Sequence, residues 1–313
     1  MTNALRSRVS TAHFALAVAH GPKGLIARVP KGGFYTSLLL QDIDTLHHRF
    51  DWAVEFDGID RKTGEGALGN LLSEVNTYGR NAGSQAVPQL ISAVARDHMM
   101  YGRSVFELYR CQERGEEGPR LAVLPGWSLR RRWRATQQAL PTDTSVAWAT
   151  MPSDVLRKFD VTRQLSCDLS RTYRQLAIVD RTRLGEPELL ERAGSSGYDF
   201  SAHRRAADEM AARATAAIGW RGRDAFMNRA TSGHRTYRDL RFLRTWLTIA
   251  FSTLSTLSST TSSEDVFPKH TFRLALSGVP AIDTVDSKIE ALMKGTETLD
   301  SIRETVIMPR RHW

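Results

Sequence analysis

Residues 87–133 constrain the fold of this chain more than any other stretch, because the hydrophobic period changes twice within them. Val87, Leu90, Ile91 and Val94 recur at helical spacing, which predicts a helix beginning near Pro88 with one apolar face. Met99 and Met100 continue the apolar end until Tyr101-Gly102-Arg103 breaks it. Residues 104–110 (SVFELYR) then alternate in period two and are rich in strand formers. Residues 114–118 (RGEEG) read as a turn, and 120–124 (RLAVL) as a second strand pairing back on the first. The stretch ends in 127–134, WSLRRRWR, the densest basic patch in the sequence. A chain with this pattern must build a helix and a hairpin side by side.

The flanks extend that mixture. A helix is predicted over 38–50, an extended segment over 52–56, a polar glycine-rich loop over 57–69 and a helix over 67–78. After the basic patch, 145–150 and 155–161 read as extended. From Thr162 the pattern turns helical, with Leu165, Leu169, Leu176 and Val179 forming one stripe. Ser201 is placed to cap a second helix whose inner face would hold Ala206, Met210, Ala214 and Ile218. A third helix spans 237–257, followed by a polar linker at 258–263 and a strand at 271–276. A last helix starts near Asp283, with Gly295 as a possible break. The expected class is α+β: a mixed helix and hairpin core over 1–161, a helical region over 162–263, and a strand plus C-terminal helix over 264–313.

The basic charge bears on partners. The chain has 36 arginines and 7 lysines, a net charge of +9 and a pI near 9.9. Arginine's planar fork suits phosphate, so a polyanionic partner is one reading and an arginine-rich overall composition the other. Cys111 and Cys167 are the only cysteines, too few for a cysteine zinc cluster or a disulfide framework. A reducing, intracellular setting is the simplest expectation. The apolar run 14–19 is short for a signal peptide, and 242–257 is too short and polar for a membrane span, so a soluble protein with no membrane partner is expected.

Motifs for catalysis and cofactors are weak. Residues 64–69 fit GxGxxG, but no strand feeds the first glycine and no acidic residue follows at the needed distance. Asp42, Asp44, His47 and His48 have a composition that suits a metal, yet a solvated helix face explains all four. Glu107 lies on a strand face with Val105 and Tyr109, where it reads as a buried acid or a plain hairpin residue. Asp199 and His203 lie four apart without an accompanying nucleophile motif. The expectation is a non-enzyme with no cofactor and no metal. The basic features stand out instead. Alternation in WSLRRRWR places Trp127, Leu129, Arg131 and Trp133 on one face and Arg130, Arg132 and Arg134 on the other. That arrangement suits a phosphate backbone and stacked bases, or equally a strand with core tryptophans and paired arginines. Residues 203–244 carry ten arginines against four acids, among them Arg204, Arg205, Arg221 and Arg223.

The opening stretch resembles part of the core of tailed-bacteriophage portal proteins. That family runs an amphipathic helix into a strand of the type G-[NR]-[SA]-[YV]-x-E-[IL]-x-R, then a turn and a second strand ending in leucine-proline. Here the matching residues are Tyr101-Gly102-Arg103-Ser104-Val105-Phe106-Glu107-Leu108-Tyr109-Arg110, with 91–100 before them and 121–125 after. Met151-Pro152-Ser153-Asp154-Val155-Leu156 and Phe159-Asp160 are similar to the segment that follows in the family. The resemblance centres on residues 86–160. It implies a wing-like core, a stem and clip drawn from the helical region, and a homo-oligomeric ring at one capsid vertex of the virion. Double-stranded DNA would pass through that ring during genome packaging and ejection. The packaging motor, the capsid and head–tail connector proteins would be partners, and backbone contacts would fall to Arg130, Arg131, Arg132, Arg134, Arg204, Arg205, Arg221 and Arg223. The chain is short for that family. The alternative is a basic, mainly helical nucleic-acid-binding protein such as a viral nucleocapsid or plasmid replication protein, cytoplasmic if not virion-bound.

Overall fold

The computed structural model describes residues 32–75, 83–113, 116–132, 135–141, 146–182, 199–222, 231–268 and 271–306. In chain order the elements are α1 (Phe34–Thr45), β1 (Ala53–Asp57), α2 (Arg61–Leu71), α3 (Gly83–Tyr101), β2 (Val105–Glu113) and β3 (Glu116–Val123). There follow β4 (Leu129–Arg132), β5 (Ala135–Pro141), β6 (Val146–Met151), β7 (Leu156–Lys158), α4 (Arg163–Thr182) and α5 (Phe200–Ala214). The last are α6 (Ser232–Thr261), β8 (Arg273–Ser277), α7 (Ile282–Lys294) and α8 (Leu299–Val306). The class is α+β, with small antiparallel sheets ordered β1-β8, β3-β2-β7 and β4-β5-β6. Two compact units are interleaved in sequence: 52–161 with 249–278, and 32–51 with 162–248 and 279–306. The three consecutive segments expected from the sequence therefore do not each delimit a unit. Pairing of β1 with β8, Ala53 opposite Ser277 and Asp57 opposite Arg273, draws the late strand back to the early one.

In the first unit the predicted loop at 57–69 is largely helix. Asp60 caps α2 by accepting the Thr63 amide at 3.0 Å. Two glycines, one in α2 and one at the start of α3, serve close packing. A methyl at Gly64 would lie 2.5 Å from the Phe56 ring, and one at Gly83 would lie 2.4 Å from the Gly69 amide nitrogen. The Glu65 carboxylate accepts the Ser84 amide and hydroxyl at 2.7 and 2.6 Å, which holds the start of α3 to α2. Helix α3 begins five residues before Pro88 and buries Ala86, Val87, Leu90, Ile91, Val94 and Met99. Gly102, with φ +69°, turns the chain out of the helix. Strands β2 and β3 pair from Phe106 opposite Val123 to Glu113 opposite Glu116, longer than the hairpin predicted. Strand β7 adds to the other edge of β2, and Phe159 meets Phe106 edge-to-face at 4.9 Å. Residues 258–261, expected in a linker, are the last turn of α6. Thr261 donates its hydroxyl to the Phe272 carbonyl, and the Ser258 hydroxyl accepts the Leu274 amide, so that turn satisfies the edge of β8.

In the second unit Asp180 of α4 acts as a helix cap from a distance. Its carboxylate accepts the amides of Gly33, Tyr35 and Thr36 and the Thr36 hydroxyl, at 2.7–3.2 Å, against the start of α1. Tyr35 donates to Asp208 at 2.6 Å. Asp199, not Ser201, caps α5, and the Ser201 hydroxyl donates to it. The buried face of α5 holds Ala207 and Ala211, whereas Met210 is 41% exposed, which corrects the predicted stripe. Gly219 has φ +82°, and a methyl there would lie 2.4 Å from the Phe242 amide nitrogen. Gly295, with φ +66°, ends α7 as its sequence position suggested. Among the described residues no helix is long and apolar enough to cross a membrane.

Two buried or half-buried carboxylates give measurable expectations. Asp97 on α3 is buried and accepts the Ser104 hydroxyl at 3.0 Å, and burial pushes its carboxyl up to about 7. The folded state therefore holds this proton more tightly than the unfolded state. The stability this contributes is complete below about pH 4 and is lost as pH rises towards 7. Asp97→Asn should gain on the parent across that window by up to about 4 kcal/mol, read by urea unfolding at pH 5 and pH 8. Equal pH dependence of the two proteins would contradict it. Asp180→Ala, which strips four donors at the start of α1, should cost about 2–3 kcal/mol in the same measurement.

Candidate nucleic-acid interface

The basic patch of the opening stretch is built on a turn, and the turn decides which arginines are free. Gly126 is buried against Tyr101, where a methyl would lie 2.3 Å from the ring. The Ser128 amide and hydroxyl both bond the Pro125 carbonyl, at 2.8 and 2.7 Å, closing a 3-10 turn over Gly126–Ser128. Arg103 donates to the carbonyls of Gly126 and Leu129, so the arginine beside the Gly102 break pins the start of β4. Trp127 consequently belongs to the turn and not to the strand, which shortens the alternation expected over WSLRRRWR. Only Leu129 of β4 is buried, in a cluster with Val105, Leu124, Met151, Val155 and Leu156. Trp133 and Arg134 lie outside the described residues.

On the β4-β5-β6 sheet, register places Arg130, Gln137 and Thr150 in one cross-strand row. Arg130 donates Nε to Gln137 Oε1 at 2.9 Å, and Gln137 Nε2 donates to Thr150 Oγ1 at 3.3 Å. The Arg130 guanidinium lies 3.8 Å from the centroid of the Trp148 ring, a cation–π contact. Its terminal amino groups point to no partner among the described residues. Arg132, two positions on, shares the face by strand periodicity and is exposed, while Arg131 is exposed on the other face. This gives a planar cation on an indole with a second arginine beside it, an arrangement able to bind phosphate oxygens. Gln137, Trp148 and Thr150 carry no signal of this kind in the sequence, because strand register alone brings them to Arg130.

The second basic group lies in the other unit, and several of its arginines are paired within that unit. Arg204 and Arg205 are exposed on α5. Arg221 is paired with Asp239 at 2.7 Å, so its charge is compensated, and Arg223 lies outside the described residues. Arg238 is buried, donating to the carbonyls of Ala212, Gly219 and Trp220 and to the Thr215 hydroxyl. Burial pulls it down to about 10, which leaves it cationic at neutral pH. Arg241 donates to the Ala217 carbonyl at 2.8 Å, and Arg244 forms a two-pronged pair with Asp286. The excess of arginine over 203–244 is thus partly structural.

The remaining motifs take ordinary structural places. The GxGxxG residues lie within α2. Asp42 accepts the Trp220 indole N–H at 2.7 Å. The rings of His47 and His48 sit 3.8 Å apart, and burial, reinforced by the charge of His48, lowers His47 to about 4. Among the described residues no group of three or more His, Cys, Asp or Glu is placed to hold a metal ion. Glu107 is buried in β2, between Ala122 of β3 and Leu156 of β7 in register. Asp199 is occupied as the α5 cap.

Replacing Arg130, Arg131 and Arg132 together by alanine should weaken binding of a single-stranded oligonucleotide at least tenfold. The slope of log K against log salt should fall by about 2, measured by fluorescence anisotropy. Unchanged binding would remove the sheet as an interface. No protein-family model matches this chain, and no curated protein matches it in sequence.

Proposed function

We propose that this chain is a structural subunit of a portal-like ring at a capsid vertex, through which double-stranded DNA is packaged and ejected. The observation that carries the reading is the fold of residues 83–159, where the segments bearing the family resemblance come together. Helix α3 ends at Gly102, β2 and β3 form the hairpin, and β7 returns to the far edge of β2. His98 of α3 bonds the Phe159 carbonyl at 2.8 Å, tying the helix to the returning segment. A ring of this kind works by shape and electrostatics and needs no catalytic group. Each subunit presents two different surfaces whose rotation closes, and exposed arginines meet phosphates without reading sequence. The packaging motor, capsid and connector proteins are its partners, and the virion its location.

The stacked pair of Arg130 and Trp148 favours a second reading, a basic nucleic-acid-binding protein acting without a ring. Mass photometry and negative-stain microscopy of the purified chain in moderate salt separate the two. Closed rings with little nucleic-acid affinity in the dissociated subunit are expected. A clean monomer that binds nucleic acid tightly would overturn the ring and support the second reading.

A further inference from the structure

Helix α4 carries a stripe of arginines that the basic patches in the sequence do not include. Positions 163, 167, 171, 174, 178 and 181 are all exposed, and their spacings of four, four, three, four and three keep them on one face. They hold Arg163, Cys167, Arg171, Arg174, Ile178 and Arg181. The opposite side buries Leu169, Thr172, Tyr173, Leu176, Ala177 and Val179. From first to last arginine the stripe runs about 27 Å along the helix axis. The two acids of the helix do little to neutralise it. Asp180 is turned to the start of α1, and Asp168 accepts from Gln164 at 3.0 Å and lies 3.8 Å from Arg171. Arg163, Arg174 and Arg181 form no ion pair among the described residues. A stripe chosen for helix stability would alternate Glu with Arg, whereas neighbouring like charges cost a few tenths of a kcal/mol each.

We propose that this face of α4 is a docking surface for the sugar–phosphate backbone of a nucleic-acid duplex. A duplex is favoured over a single strand because the stripe offers fixed charges on a straight rod and no exposed aromatic ring, Tyr173 being buried. Single-strand sites need such rings for bases to stack on. The proposal rests on the nucleic-acid part of the reading above and is independent of ring closure, which is judged from mass alone.

The test uses the full chain, a duplex of about 30 base pairs and a single strand of equal length, with binding followed by anisotropy across a salt series. The variant R163Q/R171Q/R174Q/R181Q should bind the duplex at least tenfold more weakly, and its salt slope should shrink by about 3–4, near 0.9 for each phosphate no longer neutralised. Its single-strand binding should change far less. The pair R163Q/R174Q should shrink the duplex slope by about 2 and serves if the quadruple variant fails to fold. A duplex affinity and slope equal to the parent's would overturn the proposal. So would equal losses on duplex and single strand.

Discussion

The antiparallel pairing of Ala53–Asp57 with Arg273–Ser277 is the constraint on which the layout of this chain depends. Bringing strands some 220 residues apart together costs about 5 kcal/mol of loop-closure entropy beyond a constant. Burial of Val54, Phe272 and Leu274 opposes that cost. A two-stranded ribbon is marginal alone, and here hydroxyls at the end of α6 bond its second edge. Once the pair forms, the chain must leave the first unit and return to it, and the units become interleaved.

Arginine has two opposite uses in this protein. Arg103, Arg221, Arg238 and Arg241 are tied to carbonyls or a carboxylate, where their several donors close turns and helix ends that would otherwise leave carbonyls unpaired, and Arg244 is held in a surface ion pair with Asp286. Arg131, Arg132, Arg163, Arg174, Arg181, Arg204 and Arg205 face outward. Arg130 stands between these uses, held by Gln137 and Trp148 but with its terminal groups open. Net charge alone does not separate the two, because a buried arginine counts as much as an exposed one.

The opening helix, glycine break and hairpin were legible from residues 87–124 because local period sets local structure, and the alternation in SVFELYR is unambiguous. The strand at 271–276 was legible for the same reason. The errors have physical causes. Residues 61–69 looked like a loop because glycine is read as flexible, whereas Gly64 stands where the Phe56 ring leaves no room for a side chain, and the Gly69 amide in turn leaves none at Gly83. Residues 258–262 looked like a linker because serine and threonine are polar, but hydroxyls among them bond the β8 segment 10–16 residues away. At the basic patch, the sequence revealed the arginines and hid the turn that withdraws Trp127 from the strand. The α4 stripe leaves no run of charge in the sequence, because its arginines are spread over 19 residues.

The α+β class, the helix and hairpin of the opening stretch and the surplus of positive charge follow from short-range periodicity and composition. Which strands meet, which carboxylate caps which helix, and which arginines are internal ties and which face solvent are fixed by long-range contacts. Those outcomes depend on polar groups finding partners far along the chain, as Asp180 does at the start of α1. Spacing within one segment carries no record of a partner nearly 150 residues away.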